Sequence, residues 1–74
     1  MLTIDEVLTV LHDDGRCVLY SVPSIRVAVH SHKNEAIGEM DFNDFCVLIG
    51  ERMLEKVPNI MPSTPMRYKL KGAN

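Results

Sequence analysis

The sequence predicts a small α+β domain of two layers, an antiparallel sheet packed by two helices in the order α-β-β-β-α-β. Three observations carry this. Two segments repeat apolar residues at helical spacing, three others alternate or are rich in β formers, and a polar turn joins two of the strands at hairpin distance. Seventy-four residues make one domain and leave no room for a second.

The first helix is expected over Ile4 to Asp13. Thr3 and Glu6 stand at capping-box spacing, with Leu2 and Val7 at the staple positions. Ile4, Val7, Leu8 and Leu11 define its apolar face, and Gly15 is placed to adopt the left-handed cap. RCVLYSV follows as a strand and Pro23-Ser24 interrupts it. IRVAVHS then sets Ile25, Val27 and Val29 on one face and Arg26, Ala28 and His30 on the other. The polar turn His32 to Glu35 leads to the returning strand AIGEM, a hairpin with a loop of four or five residues.

Asp41 is the expected N-cap of a second helix running through DFNDFCVLIGERMLEKV to Pro58. Phe42, Phe45, Cys46, Ile49 and Met53 form its apolar face, widened by Leu48, and Gly50 weakens its interior by about 1 kcal/mol. Residues 58–65 form a Pro-rich connector. MRYKL alternates as the last strand, with Met66, Tyr68 and Leu70 inward and Arg67, Lys69 and Lys71 outward.

Composition limits the function. There is no Gly-rich phosphate loop, no paired-cysteine metal spacing and no recognisable nucleophile arrangement, so the expectation is a protein that is not an enzyme and needs no cofactor. Cys17 and Cys46 sit in apolar runs and read as buried thiols in a reducing cytoplasm. No apolar run reaches the roughly 18 residues a membrane span needs. His30-x-His32 invites a metal reading with His12, Asp13 or Glu35 as third ligand, but the pair alone is a weak signal, and two solvated histidines beside a turn are expected instead. Asp13, Asp14, Asp41 and Asp44 are explained as cap and turn residues.

Charge is the remaining lead. Residues 1–55 hold all ten acids against four bases, whereas residues 56–74 hold Lys56, Arg67, Lys69 and Lys71 and no acid. The alternate cations of the last strand span about 13 Å. With Arg52 and Lys56 at the expected helix end, Arg67, Lys69 and Lys71 are the candidate binding residues for nucleic acid or a protein partner. The bland alternative is that these lysines only protect a sheet edge.

EVLTVLHDDG, the hairpin around RVAVHSHKNEAIGEM, the helix DFNDFCVLIGERMLEKV and RYKL together resemble small winged-helix-like accessory proteins of bacteria and phages. Phe45, Leu48, Arg52, Leu54, Glu55, Tyr68 and Leu70 carry the likeness, which covers most of the length and is a hydrophobic pattern. It implies a degenerate winged-helix-like or simple α+β fold. A winged helix has a helix-turn-helix before its hairpin and this chain has one helix there, so no DNA-contacting residue follows from it. The expected function is that of a small regulatory or interaction protein, phage or prophage encoded, which binds another protein and self-associates as a homodimer. The alternative is a nucleic-acid-binding module using the basic last strand.

Overall fold

The computed structural model describes residues 1–58 and 65–72. It contains α1 (Ile4–His12), β1 (Arg16–Tyr20), β2 (Arg26–His30), β3 (Ala36–Met40), α2 (Phe42–Gly50), β4 (Leu54–Val57) and β5 (Met66–Leu70). The predicted two-layer α+β class is what the chain adopts, with one strand more than expected. The connector predicted over 58–65 falls mostly on residues 59–64, outside those described.

All five strands form one antiparallel sheet in the order β3-β2-β1-β5-β4. Sequence-adjacent hairpins build β1-β2-β3, and β2 turns into β3 through the five residues 31–35. Ser31 organises that turn, since its Oγ accepts from the amides of Lys33 and Glu35, and Asn34 takes the left-handed conformation there at φ 63°. β5 then lies beside β1, and β4 closes the far edge. At the opposite edge, Leu2 forms a parallel bridge to Met40, its amide donating to the Glu39 carbonyl at 2.8 Å.

The Thr3–Glu6 capping box forms as predicted: each side chain accepts from the other residue's amide. Hydrogen bonding to Thr3 lowers the Glu6 carboxyl below its ordinary value. Asp41 caps α2 by accepting from the Asn43 amide at 2.8 Å.

The two helices end alike. After α1 the Asp14 amide donates to the Leu11 carbonyl and the Gly15 amide to that of Val10. After α2 the Arg52 amide donates to Ile49 and the Met53 amide to Leu48. Each is a Schellman pair, with the left-handed residue at the middle position. Those residues are Asp14 (φ 62°) and Arg52 (φ 58°), so the expectation that Gly15 supplies the left-handed cap is corrected. Gly15 is required for space instead: a Cβ there would stand 2.7 Å from the Val10 carbonyl oxygen and 2.8 Å from that of His30.

The second Schellman turn also corrects the length of α2. The helix stops at Gly50 rather than continuing to Pro58, and the chain reverses at Arg52 to lay Leu54–Val57 against β5 as a strand.

Both helices cover the same sheet face. Val7 and Leu11 of α1 and Phe45 and Leu48 of α2 join Cys17, Val27, Val29, Met40 and Leu54 in one core cluster. Phe45 meets the Tyr68 ring edge-on, with centroids 5.2 Å apart. Fixing α2 through Phe45 and Leu48 rotates other apolar positions outward, because each helical residue turns about 100° from the last. Phe42, Val47 and Ile49 are therefore exposed, and so is Cys46, against the expectation of a buried thiol. Cys17 is buried as predicted, and burial pushes its thiol up from 9.0 to about 11.

Candidate functional site: the open sheet face

Because side chains alternate along each strand, the register decides what lies on the face opposite the helices. Among the described residues no helix covers that face. One row runs across all five strands: Glu39, Ala28, Val18, Arg67 and Val57, each paired with the next. Flanking it are Arg26 paired with Tyr20, His30 paired with Arg16, and Lys69 paired with Glu55.

The centre of the face is apolar. Val18 is 1% exposed and Ala28 8%, yet neither belongs to the helix-facing core cluster. Toward β3 the face sinks into a shallow, open depression of about 300 Å³, bordered by Tyr20, Arg26, His30, Ile37 and Glu39.

Four cations surround this floor. Arg26 lies 5.0 Å from the Tyr20 ring centroid and 3.3 Å from Glu39 Oε2. Lys69 Nζ lies 3.3 Å from Glu55 Oε1. Arg16 bends toward the preceding turn, its Nη1 donating to the carbonyls of Asp14 and Gly15 at 2.9 Å. Arg67 stands beside Val18 on the second strand from the edge, and among the described residues it forms no ion pair. The acids concentrate on the other layer: Asp5, Glu6, Asp13, Asp14, Asp41, Asp44 and Glu51 lie on or flank the helices, which themselves contain no Lys or Arg.

The five residues singled out from the sequence are divided by this geometry. Arg67 and Lys69 point outward as expected. Lys56 pairs with Tyr68 and so belongs to the helix-side face. Its expected place at a helix end is lost because that segment is β4. Arg52 occupies the turn before β4. Lys71 lies past the end of β5, with its amide bonded to the Met53 carbonyl at 2.7 Å. Arg16 and Arg26, not singled out from the sequence, join Arg67 and Lys69 through the pairing of β1 with β2 and β5. The alternation of IRVAVHS already set Arg26 outward; the neighbour relation between β1 and β5 is what the sequence does not carry.

The histidines separate. His30 Nδ1 lies 3.3 Å from Asn34 Oδ1, while His32, beyond the strand, has Nδ1 3.9 Å from Asp13 Oδ2. Among the described residues no three His, Cys, Asp or Glu side chains group as a metal site requires, and no helix is long and apolar enough to cross a membrane.

Comparison with protein-family models, with curated proteins and with solved structures finds no match. None of the three comparisons therefore bears on the winged-helix resemblance.

Proposed function

We propose that this is a small interaction protein without catalytic activity, acting through the open sheet face. The observation that carries the reading is the continuous row Glu39-Ala28-Val18-Arg67-Val57, with charges around a buried apolar centre, on a face that no helix covers among the described residues. Interfaces combine such a centre with a polar rim. The rim ion pairs are partly solvent-exposed, so they exchange at modest cost when a partner offers new ones.

The test compares capture of a binding partner by three proteins. These are the natural chain, an open-face variant (Ile37→Asp with Arg67→Glu) and a helix-layer variant (Asp5→Lys with Asp44→Lys). A partner lost only with the open-face changes is the expected result. Loss with the helix-layer changes alone would sink the reading.

A nucleic-acid module is the second reading. It is favoured by one observation: Arg16 on β1 and Arg26 on β2 share this face with Arg67 and Lys69 of β5, so its cations are spread over three neighbouring strands. It predicts binding that falls steeply with salt and disappears in Arg67→Glu plus Lys69→Glu. Affinity unchanged by those reversals removes it.

A further inference from the structure

We infer that the partner of the open face is a protein surface carrying carboxylates around an apolar centre, with Arg67 and Arg16 as the receiving cations. The inference rests on the interaction reading above and adds the chemistry of the partner.

Charge complementarity is the first argument. Among the described residues the face holds four cations against two carboxylates, and those two engage Arg26 and Lys69. The positive charge left over belongs to Arg67, beside the buried Val18, and to Arg16 one row away. Arg16 commits one nitrogen to the Asp14 and Gly15 carbonyls, and a guanidinium has five N–H donors in a planar fork that matches a carboxylate. The acidic helix layer on the other side orients the whole molecule, presenting this face toward negative partners.

The second argument separates a protein from a nucleic acid. Glu39 and Glu55 lie on the face itself and would confront a phosphate backbone, whereas a protein of mixed charge can satisfy them. Tyr20 is the aromatic residue of this face, and the Arg26 guanidinium already lies over it. That leaves no free stacking platform for bases. The exposed Ile37 and the half-buried Val57 offer apolar surface that phosphates and sugars would not use.

The experiment is a titration of the isotope-labelled full chain, followed by amide NMR at low and moderate salt. Four polymers are compared: a random Glu–Tyr copolymer, poly-L-glutamate, poly-L-lysine and a mixed-sequence DNA duplex. The expected result is binding of the Glu–Tyr copolymer, with shifts on residues 16–20, 26–30 and 66–69. Poly-L-glutamate binds the same residues more weakly at moderate salt because it brings no aromatic groups to Ile37 and Val57. Arg67→Glu weakens both by at least tenfold, and Arg67→Gln by less. A dispersed amide spectrum shows that each variant folds. Tighter binding of the duplex than of either acidic polymer overturns the inference in favour of nucleic acid. Shifts on this face with poly-L-lysine alone overturn the partner chemistry but keep the face as the binding surface. Shifts confined to the helices, or no response to any polymer, overturn both.

Discussion

Replacing Asp14 by glycine is expected to stabilise the protein, and the structure supplies the terms. Asp14 sits at φ 62° between α1 and β1, with its amide bonded to the Leu11 carbonyl. An L-residue in the left-handed region is disfavoured by about 1–2 kcal/mol, with Asp among the better tolerated. Glycine there gives back about 0.5–1 kcal/mol, because the unfolded chain gains freedom. A carboxylate near a helix C-terminus is disfavoured by a further 0.3–1 kcal/mol or so, which the substitution removes. The net for Asp14→Gly is a gain of about 1 kcal/mol, or roughly 4–8 °C in Tm for a domain of this size. Arg52 has the same backbone geometry, but its cation suits a helix C-terminus. For Arg52→Gly the same terms cancel to about zero. Gly15→Ala goes the other way. Its methyl would meet two carbonyl oxygens, one of them on β2, so the end of α1 must shift at a cost of about 1–3 kcal/mol. Urea and thermal unfolding of the three variants measure this pattern. A destabilised Asp14→Gly, or an unaffected Gly15→Ala, refutes the assignment of the left-handed position to Asp14.

Three further outcomes are expected. In the folded protein at pH 8, iodoacetamide modifies Cys46 and spares Cys17, which mass spectrometry after proteolysis reads directly; equal modification contradicts the burial of Cys17. The Cys17 thiol stays protonated in the fold up to about pH 11, while the unfolded chain ionises it from 9.0. Its contribution is complete below pH 9 and is lost as pH rises through 11. The difference in urea midpoint between the natural chain and Cys17→Ala should therefore narrow over that window. Thr3→Ala removes the capping box and lowers stability by about 1 kcal/mol at pH 7. Because the folded Glu6 carboxyl is lowered, its part of that loss is present above pH 4.5 and fades as pH falls through the folded value, so the penalty of the variant shrinks in acid.

Local signals in this chain are written in short stretches and were legible. The Thr3–Glu6 box, the Asp41 cap, and the alternation of RVAVH and MRYKL each involve residues within four positions of one another. The end of α2 was not, because a left-handed arginine carries no compositional mark. ERMLEKV continues the apolar spacing of a helix, and only the reversal at Arg52 makes its last four residues a strand. Once that strand exists, period-two alternation replaces the helical period, and Lys56 moves to the side opposite Arg67. The exposure of Cys46 has a similar origin. An apolar helix nine residues long offers several faces, and the contact of Phe45 with Tyr68 selects one of them. The set of cations on the open face was half legible. Arg67 and Lys69 lie on one strand, but Arg16 reaches them through the pairing of β1 with β5, a contact about fifty residues apart in the chain, and Arg26 joins through the pairing of β1 with β2.

The outer edge of β4 also determines how this sheet meets another copy of itself. Antiparallel addition of a second β4 about a two-fold axis keeps each face continuous, so only residues of the same face can stand opposite one another. Centring on residue 56 sets Lys56 against Lys56, and centring on residue 55 sets Glu55 against Glu55. Centring on residue 57 brings Lys56 to Pro58, which has no amide hydrogen to give, and centring on residue 54 brings Lys56 to Arg52. Like charges directly opposed across strands are destabilising, so every short register is penalised. LEKV therefore closes the sheet against fibrillar growth from this side, and Leu2 occupies the edge at the other end.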